Sequence, residues 1–164
     1  MRLRTYQPED FSTVRGWIGS RREHALWCAD RFSYPLERED FHRVLATAAD
    51  AGETPFILGD DAGQALGFFC YAQDNGTGTL RFIVLAPMLR GKGLGRMLLH
   101  SALGYAFGAT DAEAVRLSVF TENVRARACY ESVGFRALMT AEGVFPFLEE
   151  RWGRCIMEVR KEDL

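Results

Sequence analysis

The sequence predicts a mixed α/β (α+β) fold in which helices cover both faces of a sheet. Two patterns alternate along the chain: apolar residues spaced three and four apart, typical of amphipathic helices, and short apolar runs, typical of strands. Helical segments occur before, between and after the predicted strands. Because each helix has an apolar stripe to bury, this order is typical of one sheet covered on both faces.

The first third of the chain is predicted to hold one strand and two helices. Residues 2–6 form a short edge strand. A helix begins at Pro8, since proline and acidic residues are favoured in the first turn. A second helix begins near Pro35, where apolar residues resume at helical spacing. Between the two helices, Arg21–Tyr34 lacks clear periodicity and is interpreted as a loop with irregular helix.

Three consecutive antiparallel strands are predicted next. Pro55–Gly59 and Ala65–Ala72 are apolar runs, and the turn-forming residues 60–63 separate them. A second turn at 74–76, with the sequence Asp-Asn-Gly, leads into a third strand at Thr79–Leu85.

The last part of the chain alternates helices with strands. Asn123 is a good N-terminal cap for the second of its helices, and Gly134 ends that helix. The predicted elements are, in order, a helix over Gly93–Phe107, a strand over Val115–Phe120, a helix after Asn123, and strands over Phe135–Met139 and Cys155–Val159.

Length and composition limit the classes of protein. The chain has 164 residues, which predicts a single domain over 1–164. Its net charge of −2 argues against a nucleic-acid partner, since such proteins carry a basic excess. The four cysteines and three histidines show no zinc-ligand spacing, so we expect no metal. We expect the cysteines to be buried thiols in a reducing compartment.

The chain shows no sign of a membrane or secretory segment. Its first eleven residues lack the apolar core of a signal peptide, and no apolar stretch is long enough to span a bilayer. We therefore expect a cytoplasmic protein without a membrane partner.

A glycine-rich stretch between a strand and a helix, Arg90–Gly95, is the strongest sign of chemistry. Its glycines allow a backbone to approach a ligand closely with positive φ. The free N–H groups and dipole of the following helix suit a phosphate, and Lys92 and Arg96 add positive charge. A tight connection that binds nothing would have the same composition.

Two common phosphate-binding motifs are absent from this stretch. The dinucleotide pattern GxGxxG fails because Arg96 and Leu98 occupy the positions of its third glycine. The pattern GxxxxGK[ST] does not occur.

Two motifs in this part of the chain resemble those of the GCN5-related N-acetyltransferase (GNAT) family. The residues Arg90-x-x-Gly93-x-Gly95 match the signature (Q/R)xxGx(G/A). The second motif, N..A...Y...GF, begins at Asn123, passes through Tyr130 and ends at Phe135. The resemblance covers about a third of the chain. A nucleotide-phosphate binder of unrelated fold is the least favoured alternative, because the second motif would then be a coincidence.

The resemblance implies a GNAT fold with acetyl-CoA as co-substrate. The fold has a mixed, mostly antiparallel sheet of six to seven strands, and the acyl-CoA lies in a gap between two splayed parallel strands, here the strands at 79–85 and 114–120. Backbone groups would bind the pantetheine arm, polarise the thioester carbonyl and hold the pyrophosphate, and the Asn123 side chain would bind the pantetheine or order its helix. The binding residues implied are Ile83, Val84, Leu85, Arg90, Gly91, Lys92, Gly93, Leu94, Gly95, Arg96 and Asn123.

Tyr130 is the residue that the resemblance implies as proton donor. Direct transfer from the thioester to an amine expels CoA as a thiolate, which a phenol can protonate or hydrogen-bond. Tyr130 also shares a helical stripe with apolar residues, so a core position is compatible with the same role.

No residue is assigned as general base. Neither strand of the implied gap carries an acid, and Ser118 occupies a position where some family members carry a glutamate. Glu122 and Asp74 are the nearest acids in sequence, but both fit surface or turn positions. A water chain, or a group from the N-terminal half, is an equal alternative.

The acceptor stays open at this point, as an amine on a small molecule or on a peptide. Acids at 142, 149 and 150 would attract a cationic amine if they faced the site. A non-catalytic acyl-CoA sensor with the same fold is the alternative function, and a homodimer through an exposed last strand near 151–159 is left open. The aromatic candidates for an acceptor pocket are Trp27, Phe32, Tyr34, Phe69, Tyr71, Phe145, Phe147 and Trp152.

Overall fold

The computed structural model describes residues 1–164 as a seven-stranded mixed sheet covered by five α-helices. The strands are β1 (Arg2–Thr5), β2 (Thr54–Gly59), β3 (Ala65–Asp74), β4 (Thr77–Leu85), β5 (Ala114–Phe120), β6 (Arg136–Phe147) and β7 (Glu150–Arg160). The helices are α1 (Phe11–Gly16), α2 (Arg21–Cys28), α3 (Arg38–Asp50), α4 (Leu94–Ala109) and α5 (Val124–Val133). The predicted fold class is confirmed.

The sheet has the strand order β1-β2-β3-β4-β5-β7-β6. All pairs are antiparallel except β4 with β5, which are parallel. The expectation of an exposed last strand is wrong, because β7 lies between β5 and β6 and pairs with both. β6 is the edge strand instead, and most of its residues are exposed.

Two apolar cores lie on opposite faces of the sheet. On one face α4 and α5 pack against the sheet through residues such as Leu98 and Val133. On the other face α1, α2 and α3 pack through residues such as Val14 and Phe41, which are completely buried. Burial of these two apolar stripes fixes the helices to the sheet.

The stretch Arg21–Tyr34 differs from its prediction, because its first half is the regular helix α2. The Ser20 hydroxyl caps this helix by accepting the Glu23 N–H at 3.1 Å. Its buried face consists of His24, Ala25 and Cys28, which are less apolar than leucine or valine and so hide the helical period.

The turn and helix ends otherwise follow the predicted chemistry. Asn75 and Gly76 both have positive φ in the tight turn between β3 and β4. Gly134 ends α5 with a φ of 114°. β6 and β7 extend well beyond their predictions and form a long hairpin closed at Leu148. Across the whole chain, no helix combines the length and the apolar character needed to cross a bilayer.

Candidate active site

The parallel strands β4 and β5 separate soon after they meet. Their register joins three residue pairs, from Thr77 with Ala114 to Thr79 with Arg116. Beyond Thr79 the two strands make no further pair, and their facing edges are free. This separation confirms the predicted splayed strand pair and opens a gap in the middle of the sheet.

A β-bulge in β4 changes the direction of the strand inside the gap. Phe68 pairs with Val84 and Cys70 with Arg81, so two residues of β4 lie opposite one residue of β3. Phe82 has a φ of 55° at this point. As a result Phe82 packs into the core under α1–α3, whereas strict alternation from Leu80 would place it in the core under α4 and α5.

The glycine-rich loop after β4 forms the start of helix α4. Gly91 and Gly93 have φ values of 76° and 81°, a left-handed conformation in which side chains are strained. The helix begins at Leu94, so its free N–H groups and the positive end of its dipole face the loop. Such a helix start is suited to bind a phosphate.

Two arginines flank this loop without any ion-pair partner. A guanidinium nitrogen of Arg96 lies 3.6 Å from the position of a Cβ added at Gly93, and one of Arg125 lies 3.9 Å from that position at Gly91. Both side chains line the cavity described below. The loop therefore carries uncompensated positive charge from two helices, as binding of a pyrophosphate requires.

Arg90 makes contacts of a different kind. Its guanidinium donates to the carbonyl of Leu85 at 3.1 Å and to that of Trp17 at 3.2 Å, and it lies 3.7 Å from the carboxylate of Glu23. The side chain thus ties the end of β4 to the helices on the other face. Its donors are directed at protein acceptors, and its effect on the loop is to hold it in place.

A cavity of about 690 Å³ fills the gap between β4 and β5. This volume is in the usual range for small-molecule sites. Lys92 and Leu94 lie outside its wall. The other predicted site residues line it: Ile83, Val84, Leu85, Arg90, Gly91, Gly93, Gly95, Arg96, Asn123 and Tyr130.

Tyr130 on α5 is buried in the wall of this cavity. Its ring packs edge-on against Phe135, with centroids 6.1 Å apart. Its hydroxyl makes no hydrogen bond within the protein, yet it is not sealed off, because Glu53 Oε1 is the only fully buried side-chain polar atom without a partner. Burial raises the pKa of Tyr130 well above its usual value, which keeps the phenol protonated.

Asn123 acts on its own helix. Its side-chain oxygen accepts the Ala126 N–H at 3.4 Å and caps α5. The resemblance implies that Asn123 either binds the pantetheine or orders the start of its helix, and this hydrogen bond performs the second role.

Two residues that sequence patterns did not indicate, Arg125 and Glu23, bring chemistry to the cavity and join Trp27, one of the aromatic candidates for an acceptor pocket. Arg125 and Trp27 reach it from α5 and α2, and Glu23 supplies its only carboxylate. These residues carry no motif of their own. Their place depends on how α2 and α5 cross the strands, which only the folded chain shows. A glycine-rich loop can be recognised in a sequence because few other residues fit its backbone conformation. A single Trp or Glu fits many positions and carries no such signal.

The other acids considered as general bases lie elsewhere. Neither Asp74 nor Glu122 lines the cavity, whereas Ser118 does. The acids at 142 and 149 are exposed outside it, and Glu150 binds Arg22 at 2.7 Å. No group of three or more His, Cys, Asp or Glu side chains is arranged to hold a metal ion.

Among the aromatic candidates for an acceptor pocket, only Trp27 lines the cavity. Tyr34 is exposed, and Phe32, Phe69 and Tyr71 are buried in the two cores. Phe147 and Trp152 are buried in a smaller third cluster, against which Phe145 packs.

Comparison with known proteins agrees with this geometry. The family model of the acetyltransferase (GNAT) family matches residues 21–135. An uncharacterized N-acetyltransferase of Methanocaldococcus jannaschii is 27% identical over 106 residues, which are 62% of this chain and 68% of the relative.

Solved structures share the whole fold. The spermidine N-acetyltransferase of Vibrio cholerae, in complex with CoA and spermine, superposes with a TM-score of 0.82 at 22% identity and covers 98% of this chain and 95% of its own. An aminoglycoside acetyltransferase in complex with coenzyme A gives 0.77 at 19% identity, over 99% and 95% of the two chains. The match of the family model over most of the chain, on the elements that form the cavity, shows that this chain belongs to the acetyltransferase (GNAT) family and is an acetyl-CoA-dependent N-acetyltransferase.

Proposed function

We propose that the chain acetylates a small-molecule amine, with acetyl-CoA held in the gap between β4 and β5 and the amine entering from the α2 side. The observation that carries this proposal is the single cavity that joins the glycine-rich loop, the free edge of β4 and Tyr130. Each part matches one requirement of acetyl transfer: a phosphate site, a strand-like edge for the pantetheine arm and a proton donor.

The phosphate end of acetyl-CoA is assigned to the loop at 91–96. Free N–H groups at the start of α4 would bind the pyrophosphate, and Arg96 and Arg125 would neutralise its charge. Lys92 is exposed beside them and would add long-range attraction. Arg90 would support the site indirectly, by holding the end of β4 against the helices.

The pantetheine arm is assigned to the free edge of β4. Backbone groups of Ile83, Val84 and Leu85 have no strand partner on the β5 side, so an extended amide-bearing chain can pair with them as a strand would. Tyr130 would then donate its proton to the sulfur as the amine displaces CoA. Its raised pKa favours the protonated form in which it must act.

The acceptor is proposed to be a small amine with few positive charges. Helix α2 places Leu26 and Trp27 over the cavity and is joined to the β6–β7 hairpin by the ion pair between Arg22 and Glu150. This cover favours a small molecule over a peptide end. Glu23 is the only carboxylate in the cavity wall, and Arg90 already lies beside it. A polyamine carries several positive charges, and the wall offers no further carboxylate to bind them.

Glu23 is also the residue that we propose to attract the ammonium form of the acceptor. It is half exposed on the cavity side of α2 and accepts the Gly19 N–H at 3.2 Å. Alkyl amines are mostly protonated at neutral pH, so a carboxylate at the entrance favours their binding.

Calorimetric titration with acetyl-CoA tests the donor site. We expect micromolar binding by the unaltered chain, and at least about a hundredfold weaker binding by Gly93→Asp, which places an anion against the phosphate. Gly93→Asn is the matched control, because it has the same size, tolerates the left-handed backbone and is uncharged. Equal loss in both variants would contradict an electrostatic phosphate site at this loop.

A screen for CoA-thiol release tests the acceptor. Aromatic and aliphatic monoamines, spermidine and short peptides would each be offered with acetyl-CoA. We expect monoamines to give the highest kcat/KM, and Glu23→Gln to raise KM for the amine with little change in acetyl-CoA affinity. Highest activity on spermidine or on a peptide N-terminus would overturn the proposed acceptor class while leaving the donor site intact.

A further inference from the structure

Helix α2 makes a direct hydrogen bond to the bulge of β4. The indole Nε1–H of Trp27 donates to the backbone carbonyl of Phe82 at 2.9 Å. Phe82 is the residue with a φ of 55°, at the point where the register with β3 shifts. The bond therefore holds the one peptide group of β4 that departs from regular strand geometry.

The left-handed conformation of Phe82 needs such support. A bulky side chain at positive φ is a backbone outlier, and it persists when surrounding contacts determine it. In a trans peptide the carbonyl and the following N–H point in opposite directions. A donor fixed on the Phe82 carbonyl thus also fixes the direction of the Ile83 N–H and the orientation of the bulge.

The indole itself is held firmly by other rings. It stacks on Phe32 with centroids 5.2 Å apart and on Phe41 at 6.4 Å, and it meets the Phe82 ring edge-on at 6.2 Å. Phe32 and Phe41 are buried in the core under α1–α3. A rigidly placed indole can hold its N–H in one position, which a mobile side chain cannot.

Phe82 and Ile83 line the cavity on the part of β4 that has no β5 partner, and Trp27 lines it from α2. The bulge places two β4 residues opposite one β3 residue, so a backbone N–H is released from the sheet at this point. A thioester bound along the free edge, as proposed above, would meet the protein here.

We propose that Trp27 is a positioning residue for acetyl transfer: by holding the Phe82 carbonyl it fixes the β4 bulge and aims a backbone N–H of Phe82 or Ile83 at the thioester carbonyl oxygen. The inference rests on the proposed binding of acetyl-CoA in this gap. The oxygen gains negative charge as the amine attacks, and a preorganised N–H stabilises that charge. Trp27 acts through the backbone and touches no reacting atom.

Infrared spectra of [1-13C-acetyl]CoA bound to the protein test the role of Trp27. A hydrogen bond lowers the stretching frequency of the thioester carbonyl, so we expect a downward shift relative to free acetyl-CoA. Trp27→Phe keeps an aromatic ring but removes the N–H, and we expect at least about half of the shift to disappear. Trp152→Phe is the matched control, because it removes an indole N–H from a fully buried position outside the cavity, and the shift is expected to stay.

The unaltered protein provides a second test that does not depend on the variant's folding. Acetyl-CoA, but not CoA, is expected to move the amide proton of Phe82 or Ile83 downfield more than any other amide of β4. Equal effects of the two ligands, or an unchanged infrared shift in a folded Trp27→Phe, would overturn the inference. Calorimetric binding of acetyl-CoA in those same samples would leave the proposed function standing, whereas its absence would overturn both.

Discussion

Tyr130 combines a buried ring with a hydroxyl that is free to bind a ligand. The ring belongs to the core under α4 and α5, so the position of the oxygen is set by packing. The apolar surroundings raise the pKa, and the phenol therefore stays a donor over the physiological range. Both interpretations of Tyr130 offered by the sequence, as core residue and as proton donor, are compatible with this environment.

Substitution of Tyr130 by Phe separates catalysis from binding. We expect turnover of a monoamine substrate to fall roughly a hundredfold, because the leaving sulfur loses its acid. The Kd for acetyl-CoA should change by less than about twofold, since the ring is retained. The measurements are CoA-thiol release and calorimetry.

Tyr105→Phe is the control for this prediction. Tyr105 also packs against the core under α4 and α5, but it lies outside the cavity. If Tyr130→Phe retained full turnover, the protein would use no acid from this side chain.

Some residues of the site can be identified from the sequence alone, and others cannot. Gly93 can be identified because few other residues adopt its backbone conformation. Asn123 can be identified because helix caps follow a fixed sequence pattern. Arg125 carries no sequence signal, and the sequence offers Trp27 only as an aromatic candidate without its bond to Phe82, since both roles arise from neighbours distant in sequence. Phe82 is the clearest failure, because no rule predicts a left-handed phenylalanine inside a strand.

At the scale of elements, the short contact between β4 and β5 determines the shape of the site. Gly78 is the middle of the three paired residues, opposite Val115. A Cβ at this position would lie 2.6 Å from the Tyr71 ring of β3, so any side chain here would displace that ring. The hydroxyl of Tyr71 is held by Gln73 and Thr110, which limits how far its ring can retreat.

Two alanine substitutions are expected to have opposite effects on stability. Gly78→Ala overpacks the space beside the Tyr71 ring and should lower the free energy of unfolding by about 1–3 kcal/mol. Gly104→Ala, in an open position of α4, should raise it by about 0.5–1 kcal/mol. Urea denaturation measures both, provided that the m-value is unchanged. A neutral Gly78→Ala would contradict the close packing seen at Tyr71.

Most elements could be predicted because their patterns are local. The turn at Asn75 and the caps of α5 are encoded by a few adjacent residues. Helix α2 is hidden in the sequence because its buried face holds His24 and Cys28. The length of β6 is hidden because an exposed edge strand has no apolar alternation. In these cases tertiary contacts, rather than local preference, determine the structure.

For the molecule as a whole, buried ionisable groups link stability to pH. His24 is completely buried, with its ring near Asp30 at 3.4 Å, Cys28 at 3.5 Å and the Ser33 carbonyl at 3.0 Å. Burial lowers the pKa of His24 despite the attraction of Asp30. Arg21, which binds Asp30, adds to the lowering.

The protein is expected to lose stability as the pH falls below about 6.5. Unfolded His24 then takes up a proton that the folded form resists, which costs at most about 1.4 kcal/mol per pH unit. Above that range both forms are neutral and the stability contribution is complete. Thermal melts between pH 8 and pH 5.5 measure the slope. His24→Gln is expected to reduce it, leaving the part that belongs to His42, whose pKa is also lowered by burial, and the exposed His100→Gln is expected to leave it unchanged. A slope of the same size in His24→Gln would show that groups other than His24 cause the loss of stability.

A second loss of stability is expected at lower pH. The Arg4 guanidinium lowers the pKa of Asp10, and that of Arg21 lowers the pKa of Asp30. These carboxylates stabilise the fold above their unfolded pKa of about 3.9, and the contribution disappears as the pH falls through their lower folded values.

Only three residue pairs join the two halves of the sheet through their strands, β1–β4 on one side and β5–β7 on the other. Acetyl-CoA bound as proposed in the gap would contact the facing edges of both halves and so join them without a covalent bond. Its binding energy adds to the free energy of unfolding as RT ln(1 + [L]/Kd). The resistance of the folded chain to heat and proteolysis would then rise with the concentration of acetyl-CoA. The enzyme would be most stable when its acetyl donor is abundant.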